Sequence, residues 1–183
     1  MDSIGNLKGT ENSLAIILGT GVGGGLIINN QLYQGSHFQA GEFSFCIEET
    51  SLDKLAIYGS KGSAVNFIKK ATSIINVEED NYKAVFDLIS TGDNKQLTQL
   101  FNRYCLDIAK FIMNLQAILD IEKVVIGGGI SQQKLLIDNI KLAYEDIFKE
   151  LTILDQTFKR IDIAPCRYNN SSNLIGALQH LLS

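Results

Sequence analysis

The sequence predicts an α/β fold, with elements in the order β-β-β-α-β-α-β-α and a mixed sheet that carries helices on both faces. Short apolar runs bounded by turn residues fill the first part of the chain, as is typical of buried strands. A long amphipathic stretch occupies the middle, and strands alternate with helices after it. Helical connections predict that the later strands pair in parallel. With 183 residues, 45% of them hydrophobic, the chain fits one domain with a sizeable core.

The first three strands are predicted over residues 14–18, 26–28 and 31–33, and a glycine-rich stretch separates the first two. Glycines packed so densely indicate a tight turn that brings backbone close to another group. The exposed N–H groups of such a turn suit an anion, above all a phosphate. The candidate phosphate ligands are Gly19, Thr20, Gly21 and Gly23.

Other interpretations of this stretch compete with a phosphate turn. The spacing of Gly19, Gly21 and Gly24 matches a dinucleotide motif, but that motif requires a helix after the glycines, and a strand is predicted instead. A P-loop requires a Lys-Ser/Thr pair, which is missing. A plain glycine-rich turn remains the alternative. The hydroxyl of Thr20 at the apex favours phosphate binding, because it can donate to a phosphate oxygen.

The rest of the chain alternates helices and strands. Helices are predicted over residues 63–73, 81–89, 95–119, 132–150 and 174–182, and strands over residues 123–126 and 161–164. The helix over residues 95–119 has the clearest pattern, because its apolar residues recur at three- and four-residue spacing. Asp93 is the predicted N-cap of that helix, and Ser131 that of the next one.

Three consecutive glycines, Gly127, Gly128 and Gly129, follow the strand over residues 123–126. A strand, glycines and a helix N-terminus together form a site for an anion or a nucleotide. We expect these glycines to approach an adenosine closely. A plain strand-to-helix turn is the alternative.

Several motifs together resemble the signature of the ROK family, which groups bacterial sugar kinases with sugar-responsive repressors. They are Leu18-Gly19-Thr20-Gly21-Val22-Gly23-Gly24-Gly25-Leu26-Ile27-Ile28-Asn29, Leu32-Tyr33-x-Gly35, Ala40-Gly41-Glu42, Val124-Val125-Ile126-Gly127-Gly128-Gly129-Ile130 and Leu174-Ile175-Gly176-Ala177. The resemblance spans nearly the whole chain, with the motifs in the family's order.

The resemblance implies an ATP-dependent sugar kinase for a hexose or a β-glucoside, with the actin-like ATPase (ribonuclease H-like) fold. ATP and Mg²⁺ are the implied cofactors. Glu42 matches the family's sugar-contacting carboxylate, whose two oxygens suit vicinal diols. A solvated surface charge is the alternative for Glu42. His37, in the same loop, is a second candidate for the sugar, although a lone loop histidine is more often incidental.

The resemblance also implies which part of a kinase this chain is. Residues 1–12 are expected to be a linker or lead-in, and residues 13–183 the C-terminal lobe. The family's first lobe carries Asp-x-Gly-Gly-Thr and an Asn-Asp-Ala-Asn stretch with the catalytic Asp, and neither occurs here. The N-terminal lobe is therefore expected to be absent, the catalytic residue is unknown, and the chain alone is expected to be inactive. The expected partners are that lobe, a sugar and a second copy in a homodimer.

Two departures from the family concern zinc and the sugar. The family usually has a His three residues after the glutamate, followed by a cysteine-rich motif that binds zinc. Here Phe45 takes the His position and Cys46 is the only cysteine nearby. One thiol cannot build a tetrahedral zinc site, so no metal site is expected. Ala56 takes the place of a family glutamate. These departures resemble the zinc-free branch that includes β-glucoside kinases.

Composition excludes other function classes. The net charge of −4 and pI near 5.2 argue against a nucleic-acid surface, which needs clustered Lys and Arg. No apolar run is long enough for a membrane span and no signal peptide is present, so a cytoplasmic protein is expected. Cys46, Cys105 and Cys166 lie far apart and are expected to be small buried hydrophobes.

The main alternative function is the sugar-sensing domain of a ROK repressor, and a degenerate lobe that serves only in assembly is a third interpretation. A helix-turn-helix upstream of the first lobe would indicate a repressor. The intact glycine turn favours the kinase, because a sensor has no need to hold phosphates.

Overall fold

The computed structural model describes residues 6–51, 54–79 and 81–167. Its strands are β1 (Ser13–Leu18), β2 (Val22–Ile28), β3 (Gln31–Tyr33), β4 (Ile47–Ser51), β5 (Lys54–Ile57), β6 (Lys123–Gly127) and β7 (Asp162–Pro165). Its α-helices are α1 (Tyr58–Lys61), α2 (Ala64–Ile75), α3 (Tyr82–Thr91), α4 (Lys95–Leu119), α5 (Lys134–Glu150) and α6 (Ile153–Thr157). Short 3₁₀ turns cover Phe43–Phe45 and Gly129–Gln132. The predicted helix over residues 174–182 lies outside the described residues.

Five strands form a mixed sheet in the order β3-β2-β1-β6-β7. The first three strands pair antiparallel, as consecutive hairpins do. β6 pairs parallel with β1, and β7 pairs parallel with β6, which confirms the prediction made from the helical connections. Because β1 and β6 run the same way side by side, the glycines that follow each strand emerge at the same edge of the sheet.

β2 begins earlier than predicted, at Val22. Gly23, Gly24 and Gly25 pair across the ladder with Ile17, Ile16 and Ala15, so they belong to the strand. The glycine turn is therefore limited to residues 19–21, and the prediction that the whole glycine stretch forms a turn is wrong.

The main core lies between one face of the sheet and helices α2, α4 and α5. Alternating residues of β1 point into it, and Leu14, Ile16 and Leu18 are fully buried. On the opposite face Leu7, which lies in the predicted lead-in, is buried against Ile27 and Val125. The described helices thus cover one face of the sheet.

The boundaries of α4 agree with the prediction, but its cap does not. The side chain of Asn94, and not that of Asp93, accepts a hydrogen bond from the N–H of Leu97 at 3.0 Å. An amide oxygen at this position satisfies one of the free N–H groups of the first turn as well as a carboxylate does.

Ser131 does not cap α5 either, because the 3₁₀ turn over Gly129–Gln132 intervenes and the helix starts at Lys134. Ser131 is buried, and its hydroxyl donates to the carbonyl of Gly128 at 2.7 Å. The side chain therefore stabilises the glycine turn that precedes the helix.

The β4–β5 hairpin and α6 are absent from the prediction. The hairpin pairs antiparallel and forms a separate two-stranded sheet beside the main one. Among the described residues, no helix combines the length and the apolar character that crossing a membrane requires.

Candidate functional site

The tip of the β1–β2 hairpin forms the first part of the candidate site. The N–H of Gly19 donates to the carbonyl of Gly21 at 3.0 Å, which closes the turn and leaves Thr20 exposed at its tip. The carbonyl of Gly19 accepts from the N–H of Val65 and from the hydroxyl of Ser63, both at 3.3 Å. The start of α2 therefore fixes one side of the turn.

The loop that carries Glu42 lies directly on β2. A side chain at Gly24 would collide with the ring of Phe43 and with the carbonyl oxygen of Ala15. Gly41 has φ +93°, and a Cβ there would overlap the carbonyl group of Gly24. The absence of a side chain at Gly24 therefore lets the loop pack directly on the strand.

Phe43 anchors this loop in the core. Its side chain is buried and makes an edge-to-face contact with Phe111 of α4, with ring centroids 5.4 Å apart. Tyr58 stacks on the same Phe111 ring at 4.0 Å. Glu42, adjacent to this anchor, is exposed.

Glu42 and the glycine turn border one concavity of about 270 Å³. Its lining residues are Ile17, Gly19, Thr20, Gly21, Val22, Gly23, Glu42 and Ser44. The structure therefore brings together every predicted phosphate ligand of the first glycine stretch and the predicted sugar ligand. The lining combines backbone N–H groups and the Thr20 hydroxyl with the exposed carboxylate of Glu42. This arrangement can hold an anionic group next to a polyhydroxyl compound.

A larger cavity of about 570 Å³ adjoins it, with Gly19 in the lining of both. It is lined by Leu18, Gly19, Ala64, Val65, Ile68, Lys69, Glu79, Tyr82, Gly129, Ile130, Gln132 and Gln133. The walls are mainly apolar with a few polar groups at the rim, as in most small-molecule sites. Lys69 and Glu79 form an ion pair at 3.5 Å on the exposed side.

The three glycines after β6 have different surroundings. A Cβ at Gly127 would lie 2.6 Å from Ile17 Cδ1 and 3.0 Å from Cys166 Sγ. Gly128 has φ +101°, and its Cβ would overlap the carbonyl group of Leu18. Gly129 alone has open space around it and lines the larger cavity. Close packing within the protein thus accounts for two of these glycines, and the predicted nucleoside contact falls on Gly129.

The other candidate residues lie apart from these cavities. His37 is exposed on the loop before Glu42 and lines neither of them. Ala56 lies in β5, paired with Glu49 of the hairpin. Cys46 is exposed, so the prediction that it is buried is wrong, whereas Cys105 is buried and burial raises the pKa of its thiol. In residues 6–51, 54–79 and 81–167, no group of three or more His, Cys, Asp or Glu side chains could hold a metal ion.

The family model for the ROK family matches residues 2–182 of this chain. The chain belongs to the ROK family. The N-acetylmannosamine kinase of Vibrio vulnificus is 32% identical over 134 residues, covering 66% of this chain and 42% of that protein. The β-glucoside kinase of Listeria monocytogenes is 25% identical over 189 residues, covering 98% of this chain and 59% of that protein. The chain thus spans about half the length of these ROK relatives.

Solved structures of ROK proteins share the fold. A ROK family protein of Streptococcus pneumoniae in complex with sucrose superposes with a TM-score of 0.83 at 26% identity, covering 95% of this chain and 59% of that one. A ROK glucokinase of Streptomyces griseus in complex with glucose and AMPPNP gives 0.74 at 19% identity (94% and 61% covered). A ROK transcriptional regulator gives 0.72 at 19% identity (95% and 46% covered). The fold is the actin-like ATPase fold of ROK sugar kinases, as predicted.

Sequence reasoning missed several residues of this ROK site. Ser63 hydrogen-bonds to Gly19 in the glycine turn and Ser44 to Val22 directly after it, and nothing in the local sequence of Ser44 marks it for that role. Lys69, Glu79 and Tyr82 also line the larger cavity. The N-cap position of Ser63 was the one available signal, because it places that hydroxyl beside the end of β1.

Proposed function

We propose that this chain is the ATP- and sugar-binding half of a sugar kinase that acts on a hexose or a β-glucoside. The observation that carries the proposal is the shared concavity of Thr20 and Glu42, joined through Gly19 to the larger cavity. Phosphoryl transfer depends chiefly on positioning the phosphates and the acceptor hydroxyl together. The two cavities meet at the point where that transfer would occur.

Each group in the site has a role under this proposal. The larger cavity receives the nucleoside beside Gly129, and the Gly21 N–H with the Thr20 hydroxyl holds phosphate oxygens. Glu42 accepts hydrogen bonds from sugar hydroxyls. ATP supplies the phosphoryl group. Among the described residues, no cluster of His, Cys, Asp or Glu side chains could hold the Mg²⁺ ion by itself.

Under this proposal, the chain alone does not phosphorylate a sugar. Glu42 is the one carboxylate in the lining of the smaller concavity, and it is assigned to sugar hydroxyls. The base that accepts the proton of the attacking hydroxyl then comes from another polypeptide segment. General-base assistance is worth about 10²–10⁴ in rate, so its loss alone abolishes useful turnover.

Calorimetric titration of the 183-residue chain tests the proposal. AMPPNP with Mg²⁺ is titrated first, followed by N-acetylmannosamine, glucose and methyl β-glucoside. Hydrogen bonds to charged groups contribute about 1.5–3 kcal/mol, so Thr20→Val is expected to weaken AMPPNP binding roughly 10- to 100-fold. Thr152→Val, at an exposed threonine at the start of α6, is the matched control and should leave binding unchanged. Glu42→Gln is the corresponding variant for the sugar and should weaken sugar binding in the same titration.

The sugar-sensing domain of a repressor is the second candidate, because a ROK transcriptional regulator shares the fold. The same titrations separate the two functions. A kinase half binds AMPPNP and loses that binding in Thr20→Val. Sugar binding without any nucleotide binding would instead identify a sensor.

A further inference from the structure

The hydroxyl of Ser44 forms hydrogen bonds with both backbone polar groups of Val22. It accepts a hydrogen bond from the Val22 N–H at 2.8 Å and donates one to the Val22 carbonyl at 3.1 Å. β3 pairs only with Leu26–Ile28, so no strand from the described part of the chain lies along the outer side of this end of β2. Ser44 occupies the place that a neighbouring strand would otherwise take.

Ser44 is also enclosed on two sides by glycines. A Cβ at Gly21 would lie 2.6 Å from Ser44 Oγ, and one at Gly59 would lie 2.8 Å from Ser44 Cβ and Oγ. Because Gly21 has no side chain, Ser44 packs directly against the backbone of the glycine turn, and close packing transmits a shift of Ser44 to that turn. Ser44 can lie between Gly21 and Gly59 because neither glycine has a side chain, and their backbones leave it little room to move.

These contacts join the two halves of the proposed site. Ser44 lies two residues after Glu42, and Val22 lies two residues after Thr20. All four residues line the same concavity. Phe43, between Glu42 and Ser44, is anchored on Phe111, so the loop responds to a ligand as a short, stiff segment.

We infer that Ser44 is a positioning residue that couples sugar binding at Glu42 to phosphate binding at the Thr20 turn. This inference rests on the proposed function. A sugar held by Glu42 shifts this stiff segment, and the Ser44 hydroxyl passes the shift to Val22 and to the donors of the turn. Coupling of this kind is reciprocal, so a nucleotide raises sugar affinity by the same factor.

Ser63 provides the matched control. Its hydroxyl contacts the other end of the same turn, at the carbonyl of Gly19, and also accepts from the N–H of Asn66 as the N-cap of α2. It has no hydrogen bond to the loop that carries Glu42. Ser63→Ala therefore weakens the turn without touching the connection to the sugar side.

The experiment is titration of Mg²⁺-AMPPNP into the 183-residue chain, with and without a saturating sugar from the panel above. In the wild-type chain we expect the sugar to raise AMPPNP affinity at least about fivefold, within the usual range of such coupling. Ser44→Ala should reduce that factor below about twofold. Ser63→Ala should lower AMPPNP affinity while the coupling factor stays at the wild-type value. Ser44→Cys keeps a weaker hydrogen-bonding group and should give an intermediate factor, even if the alanine variant fails to fold.

The outcomes separate this inference from the proposed function. If the wild-type chain binds neither AMPPNP nor any sugar, the proposed function is wrong and the inference falls with it. If both ligands bind but do not affect one another, only the inference is overturned. Wild-type coupling in both Ser44 variants overturns it as well.

Discussion

Gly24→Ala tests whether the glycines of β2 make room for the loop that carries Glu42. An added Cβ would overlap the Phe43 ring, with Cδ2 at 2.8 Å, and the carbonyl oxygen of Ala15. The ring can rotate away, but the Ala15 carbonyl belongs to the paired strand and is held by the ladder. The substitution must therefore displace Phe43 and distort the hairpin together.

The expected cost is that of overpacking a core, about 1–3 kcal/mol. For a chain of this size each kcal/mol lowers the midpoint of thermal unfolding by roughly 2–4 °C, so the loss is roughly 2–12 °C. Because Phe43 is adjacent to Glu42, the affinity for the sugar should fall as well.

Gly25→Ala and Gly23→Ala are the matched controls. Both glycines lie in the same strand, and a Cβ at either meets nothing within 4 Å. These variants should be neutral or more stable by about 0.4–1 kcal/mol, because alanine restricts the unfolded chain. Urea unfolding of the three variants provides the comparison. Equal stability of Gly24→Ala and Gly25→Ala would refute the packing role of Gly24.

Two further substitution pairs test other assignments. Gly128→Ala should destabilise the chain, because φ is +101° and the Cβ would lie 2.8 Å from the carbonyl carbon of Leu18. Gly129→Ala, in open space, should keep the unfolding midpoint and weaken AMPPNP binding. A lower unfolding midpoint for Gly129→Ala than for Gly128→Ala, or weaker AMPPNP binding by Gly128→Ala than by Gly129→Ala, would contradict the assignment. Asn94→Ala should cost about 0.5–2 kcal/mol in urea unfolding through loss of the α4 cap, and Asp93→Ala less than about 0.5 kcal/mol; a larger loss for Asp93→Ala would restore the carboxylate as the cap.

Local sequence patterns predicted those parts of the fold in which one strong signal acts alone. The apolar spacing of α4 gave both of its boundaries, and the turn between the predicted strands 26–28 and 31–33 lies at Asn29 and Asn30, which adopt positive φ. The β4–β5 hairpin was not predicted, because its strands are short and its sequence from Glu48 to Lys54 is mostly polar. An alternation of apolar and polar residues therefore gives little signal there.

The site was predicted in part for a related reason. Glycine density identified a place of close backbone approach, but it cannot tell whether the approaching group is a ligand or the protein itself. Gly24 and Gly128 are approached by Phe43 and by Leu18. The role of Ser44 depends on a contact with Val22 across 22 positions of the sequence, which no local pattern encodes.

The contact of Gly128 with the end of β1 determines when the site can first exist. The two turns that border the larger cavity are separated by more than half of the chain, and β6 reaches β1 only after α4 has been added. Contacts so distant in sequence form slowly, because closing a long loop costs chain entropy before the contact can compensate for it. A nascent chain that stops before β6 has its glycine hairpin but lacks the wall of the larger cavity that Gly129 and Ile130 supply. The chain length at which ribosome-bound chains first bind a nucleotide would therefore show when β6 pairs with β1 during synthesis.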